Sequence, residues 1–172
     1  MSKIKLHTIA AFLIACCFAA NAGAETPEEW VTLGARVHGG FGSFIPVGIR
    51  IGLDALKRLN AEPRGVTAVY YSGAKAPCPC PADGIAIATM ASAGQGTLQV
   101  SPDKAPESAL GVAEIRSKAT GAGVRYTVAA SWIPKLIAMN KELDPLGRYN
   151  AVMDAADLFS VDPLPAANSA PK

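Results

Sequence analysis

Between Pro46 and Asn60 (PVGIRIGLDALKRLN), apolar residues recur at Ile49, Leu53, Leu56 and Leu59, with Arg50, Asp54, Lys57 and Arg58 opposite. That is the three-to-four spacing of an amphipathic helix, with Pro46 near its start. Gly48 and Gly52 lie four apart on it and cost helix propensity, so they are expected to let a neighbour pack close, helix-to-sheet packing being the preferred explanation. After the breaker Glu62–Gly65, the β-branched and aromatic run Val66–Tyr71 predicts a strand. Pro81 suits a first helical position and makes Cys80 the N-cap and Asp83 a first-turn acid, predicting a largely uncharged, buried helix from Pro81 to about Ser92. Thr97–Ser101 alternates as a strand with Leu98 and Val100 inward. Ala109–Lys118 and Val124–Ala129, joined by Thr120-Gly121-Ala122-Gly123, predict a hairpin. In its first strand the apolar parity shifts between Leu110/Val112 and Ala113/Ile115, the signature of a bulge or a change of face. Helices are predicted from Pro134 and over Tyr149–Phe159, and the end from Asp162 is a Pro/Ala/Ser tail. The order is helix, strand, helix, three strands and two helices: an α+β domain with a mixed or antiparallel sheet.

The first 24 residues change the picture. They combine two lysines, an apolar run from Ile9 to Ala20 and the small-residue stretch Ala22-Gly23-Ala24, the layout of a secretory signal peptide that leaves Glu25 as the mature N-terminus. A membrane-spanning helix needs about 20 apolar residues, and this run is too short, so no transmembrane anchor is expected. Leu13-Ile14-Ala15-Cys16 also resembles a lipobox, which would leave the domain as a lipoprotein anchored at Cys16. Either way the protein is expected outside the cytoplasm, periplasmic or secreted. The organisation is then a leader over 1–24, one domain over 25–161 and a tail over 162–172.

Lys3 and Lys5 belong to the leader, which holds no acid, so the 16 basic residues of the whole chain fall to 14 against 14 acids. A balanced charge with no Lys/Arg cluster leaves no electrostatic footprint for nucleic acid. Removing 24 of the 172 residues leaves 148, enough for one domain with a real core. Of four cysteines and two histidines, only Cys78, Cys80 and His38 remain.

Cys78 and Cys80 sit in the segment APCPCPADG. In an oxidising compartment they can form a disulfide. Against this, Pro77, Pro79 and Pro81 bias the segment to polyproline II, which sends positions two apart in different directions. The alternative is a thiolate: a thiol at a helix N-terminus is stabilised in that form, which is both metal ligand and nucleophile.

Two blocks resemble the FmdE/FwdE-like family of formylmethanofuran dehydrogenase proteins. The family's HGHxCPGxxxGxR is matched here by His38, Gly39, Gly48 and Arg50. Its CxxDAIQxxTGCTxGKGNL is matched by Cys80, Asp83, Ile85, Thr89, Ser92, Gly94, Gly96 and Leu98. The resemblance covers roughly Trp30 to Ala129 and implies an α-β-α-β-β-β core of the FwdE/GAPDH-domain-like kind followed by C-terminal helices. Departures are equally plain: the family's second histidine is Gly40 here, its two further cysteines are Gly42 and Ala91, and its lysine is Gln95. No CxxC pair is present for the family's zinc ribbon, and no CxxCH for covalent haem.

The resemblance makes His38 the partner expected to converge on Cys80. Three function classes follow. In the first, His38, Cys80 and Cys78 bind one zinc or copper ion in an accessory protein. Asp83 then serves as ligand or acceptor behind the ligands, Arg50 and Gln95 stand around the site, and a homodimer supplies the missing fourth ligand. In the second, Cys80 is a nucleophile or redox thiol activated by His38. In the third, the domain binds a small molecule without catalysis. In the first two, Cys80 is expected to be the functional cysteine and Cys78 the dispensable one. The glycine turn Ala93–Gly96 is expected to supply positive φ, close approach or a helix C-cap.

Overall fold

A computed structural model of the chain describes residues 25–165. The leader, Cys16 and the last seven residues therefore lie outside the described residues. The elements, in order, are α1 (Pro27–His38), α2 (Phe44–Arg58), β1 (Val66–Ser72), α3 (Pro81–Thr89), β2 (Leu98–Val100), β3 (Ala109–Ser117), β4 (Gly123–Ala129), α4 (Trp132–Glu142), α5 (Pro145–Asp154) and β5 (Ser160–Leu164). The five strands form one mixed sheet in the order β2-β1-β3-β4-β5. β1 runs parallel to β2, and the other pairs are antiparallel. This is the α+β architecture expected from the sequence.

α2 is the hub. Its first half is buried on nearly every side, with Ile45, Val47, Ile49 and Ile51 all inside the core. It packs against Val66, Ala68 and Tyr70 of β1, and Ala113, Ile115, Tyr126 and Val128 of β3 and β4 complete the inner sheet face. The close approach that Gly48 permits is to a helix, not to the sheet. A Cβ on Gly48 would lie 1.9 Å from the Pro81 carbonyl oxygen, and one on Gly84 would lie 2.2 Å from that of Ile45. The helices α2 and α3 thus cross backbone to backbone, which fixes where the N-terminal end of α3 sits.

β3 does carry a bulge, but ahead of the Val112/Ala113 step where the parity shift was read: the register with β4 slips between Ala109 and Gly111 and is regular from Gly111 on. Leu110 is thereby turned into the main core, whereas Ala109 and Val112 join Ala105 and Tyr71 in a small separate cluster.

Several expectations are corrected. α1 was not expected. Thr26 and Glu29 build a capping box, with the Thr26 N–H donating to Glu29 Oε2 at 2.7 Å and the Glu29 N–H to Thr26 Oγ1 at 3.3 Å, and Pro27 occupies the first turn. Val100 is 46% exposed rather than inward, because β2 is a short edge strand. α3 ends on Met90, in the left-handed region at φ 54°, so the Gly94 and Gly96 turn is not its cap. Gly96 alone of the two has positive φ, at 65°, and neither glycine has a neighbour crowding it. α5 begins at Pro145, where the Asp144 side chain accepts from the Gly147 N–H at 2.7 Å, and it ends before Ala155. The chain then returns as β5 beside β4, so the ordered domain runs past 161 into the segment expected to be tail.

Candidate functional site

Two helix ends meet at the site. α1 finishes at His38 because Gly39 adopts φ 86° and its N–H closes on the Ala35 carbonyl at 2.9 Å. α3 begins beside it, with Asp83 in its first turn. His38 Nδ1 and Asp83 Oδ2 are 2.7 Å apart, with side chains 31% and 43% exposed. A carboxylate only accepts, so Nδ1 carries the hydrogen and donates it. Nε2 is then left without a hydrogen-bond partner among the described residues. The pair places a basic group at a helix C-terminus and an acid at a helix N-terminus, both favoured by the helix dipoles.

Cys80, one turn before Asp83, is the N-cap residue of α3, as expected, and its side chain makes no capping bond. Its sulfur is bonded to that of Cys78, with the two Cα atoms 5.2 Å apart, inside the usual range for a disulfide. This overturns the expectation that prolines hold the two side chains apart. Two residues of polyproline II would span about 6 Å, but the segment turns instead. Cys80 already has helical φ and ψ, and the Ala82 N–H reaches the Pro79 carbonyl at 2.9 Å. Cys80 is buried at 9% exposure, while Cys78 is partly exposed between exposed Pro77 and Pro79.

The remaining residues singled out in the sequence are placed elsewhere. Arg50 works as a clasp for the C-terminal region: Nη1 donates to the Val152 carbonyl at 2.8 Å and to that of Ala155, and the guanidinium lies 5.3 Å from the Phe159 ring centre. Gln95 sits in the turn beyond the C-terminal end of α3, the opposite end from Asp83, where its N–H donates to Ser92 Oγ at 3.3 Å. Gly42 and Ser43 have become a helix-docking turn. The Ser43 N–H donates to Asn140 Oδ1 at 2.7 Å and its hydroxyl to the Leu136 carbonyl at 2.6 Å. Among the described residues, no three His, Cys, Asp or Glu side chains converge as a metal site. A bonded pair of sulfurs presents no thiolate, so His38, Cys78 and Cys80 are not arranged as a ligand set while the bridge is closed.

Sequence reasoning missed a cleft of about 410 Å³ on the other face of the sheet, lined by Tyr71, Lys104, Ser108, Val112, Arg125 and Thr127 among others. Strand parity across β1, β3 and β4 was the available signal, since Tyr71, Val112 and Thr127 are register partners.

The family model described as FmdE, molybdenum formylmethanofuran dehydrogenase operon, matches residues 37–156. Among solved structures, a tungsten formylmethanofuran dehydrogenase FmdE-like protein from Syntrophus aciditrophicus is similar at 22% identity. The similarity covers 82% of this chain and 73% of that one, with a TM-score of 0.54, and shows a shared fold. No curated protein matches.

Proposed function

Because the chain belongs to the FmdE family, we propose that it is an exported FmdE-like domain whose working group is the Cys78–Cys80 pair, cycling between disulfide and dithiol beside His38 and Asp83. The observation that carries this reading is the closed bridge at the first turn of α3. A helix N-terminus favours the thiolate form, and so eases opening of the bridge. The leader expected from the sequence agrees with it: if the domain is exported, whether free in the periplasm, secreted or lipidated at Cys16, a bridge persists in that oxidising compartment.

A second reading concerns the opened pair. The His38–Asp83 hydrogen bond is the arrangement that orients a metal-bound imidazole, leaving Nε2 to the ion. With both sulfurs reduced, His38, Cys78 and Cys80 would offer three donors suited to zinc or copper, and a homodimer or Asp83 would supply the fourth.

A count of the free thiols at Cys78 and Cys80 with elemental analysis, before and after dithiothreitol, separates the two. No thiols before reduction and two after it, with no stoichiometric metal in either state, supports the redox site. One zinc or copper per chain, or per two chains, in the reduced protein favours the metal reading. Two free thiols in the isolated protein, before any reductant, would overturn the redox reading.

A further inference from the structure

We propose that Cys78 is the sulfur attacked in thiol–disulfide exchange and Cys80 the departing thiolate, with a dithiol as substrate. The inference rests on the redox reading of the bridge and assigns each sulfur a role.

Access distinguishes the two sulfurs. A thiolate attacks a disulfide along the line of the sulfur–sulfur bond, from the side away from the leaving sulfur, so it needs open space behind the atom it strikes. Cys80 is the more enclosed of the two. The sulfur belongs to a residue 9% exposed, followed by buried Pro81 and Ala82, and Pro81 itself is pressed against Gly48 of α2. Cys78 is partly exposed on a surface segment, flanked by exposed prolines. The direction of electron flow agrees. Displaced charge that collects on Cys80 lies at the N-terminal end of a nine-residue helix, the end that favours an anion. The leaving thiol of lower pKa departs faster. Asp83, one turn on, would oppose that charge, and the hydrogen bond from His38 Nδ1 offsets it.

The exchange balances without further reagents. A substrate thiolate bonds to Cys78 Sγ, the bridge breaks, and its electron pair remains on Cys80 Sγ. The substrate's second thiolate then attacks the substrate sulfur of this mixed disulfide and expels Cys78 as thiolate. The substrate loses two electrons and becomes a disulfide, the protein gains them as a dithiol, and the protons released by the substrate pass through water to the two cysteine sulfurs. Neither cysteine is dispensable in this scheme, and the one expected from the sequence to be so is the point of attack.

The test uses the oxidised full-length exported protein. It is exposed briefly to glutathione, quenched with acid, alkylated with N-ethylmaleimide and mapped by peptide mass. Glutathione on Cys78 with alkylation on Cys80 should exceed the reverse pattern by about ten-fold. In a second arm, the thiol pKa of Cys80 in Cys78→Ser is compared with that of Cys78 in Cys80→Ser by following thiolate absorbance against pH. The Cys80 thiol should ionise at the lower pH, as the departing group must. Equal adducts or a preference for Cys80 in the first arm, or a Cys80 thiol that ionises at the same pH as Cys78 or higher in the second, would overturn the assignment while leaving the redox reading intact. A bridge that dithiothreitol opens only when the protein is unfolded would defeat both.

Discussion

Gly48 of α2 and Gly84 of α3 touch through their backbones: a Cβ built on Gly84 would lie 2.8 Å from the Gly48 Cα. Neither position has room for a methyl group, because the atoms it would strike are main-chain atoms that move only if a helix moves. Gly48→Ala and Gly84→Ala should each destabilise the domain by about 2–3 kcal/mol, the cost of overpacking a well-filled contact. Gly42→Ala is the control, since its Cβ would meet Asn140 Oδ1 at an ordinary 3.5 Å. Denaturant melts of the three variants check this, and unchanged midpoints for Gly48→Ala and Gly84→Ala would refute the packing argument.

Tyr126 predicts an alkaline limit to stability. Its ring is in the core, its hydroxyl donates to Asp54 Oδ2 at 2.7 Å, and burial, then that hydrogen bond and the Asp54 charge, push its pKa well above the ordinary value. Burial also raises that of Tyr70. A tyrosine whose folded pKa is raised holds its proton more tightly when folded. Its contribution is therefore fully present below the unfolded value of about 10 and is lost as pH rises past it. Melting temperature should fall steeply above that pH. Tyr126→Phe should make the fall shallower, while costing about 1–3 kcal/mol at neutral pH for the lost bond to a carboxylate.

The Tyr70 hydroxyl gives the opposite expectation. It is buried without a hydrogen-bond partner among the described residues. An unpartnered buried hydroxyl is a cost, so Tyr70→Phe should leave stability unchanged or raise it by about 1 kcal/mol at neutral pH. Thermal melting at pH 7 decides, and a clear loss would mean that the hydroxyl does have a partner in solution.

Met90 ends α3 at φ 54° and Gly96 turns the chain at φ 65°. Met90→Gly should stabilise by about 0.5–1 kcal/mol by relieving a left-handed non-glycine residue, and Gly96→Ala should cost about 1 kcal/mol or more. Gly94→Ala should sit near zero, because that glycine has neither positive φ nor a crowded neighbour. Urea titration of the three variants would separate this ordering from the expectation that both glycines act alike.

Arg50 predicts a local effect. Arg50→Ala removes the clasp on the Val152 and Ala155 carbonyls and the contact with Phe159, whose ring also meets Tyr126 edge-on at 5.0 Å. Hydrogen exchange should rise selectively in 152–164. Arg50→Lys should not restore protection, because Nη1 bonds both carbonyls while the guanidinium lies near the Phe159 ring, and a compact ammonium does not serve both at once.

The central elements were legible in the sequence because each carried its own local code: Val66–Tyr71 in β-branched and aromatic residues, α3 in the Cys80-Pro81-x-Asp83 start, β3 and β4 in alternation around a glycine turn. A bulge in β3 was expected, but it lies between Ala109 and Gly111, ahead of the parity slip at Val112 and Ala113. Segments whose partners lie far along the chain were harder to read. β5 holds only five residues, one of them Pro163, and becomes a strand by borrowing the edge of β4. α1 was legible in principle, since Thr26-Pro27-Glu28-Glu29 is a complete start signal, but it stands directly behind the leader. At the site, the N-cap position of Cys80 and the first-turn position of Asp83 followed from spacing. The bridge did not, because the prolines suggest extended backbone through Pro79, whereas the turn into α3 already includes Cys80. Arg50 shows a family-motif position spent on tertiary structure, a use that only the distant carbonyls of α5 reveal.

The two rims of the sheet are poorly suited to pairing with a strand of another chain. β2 offers three residues, and β5 carries Pro163, which has no N–H to give, next to the charge of Asp162. Neither rim can template another strand over any length, so the sheet is guarded against growing sideways into a continuous ribbon or fibril. Any contact between copies would have to use a broader surface than a strand edge, such as the sheet face where Glu114 and Arg125 pair across strands beside Tyr71 and Val112.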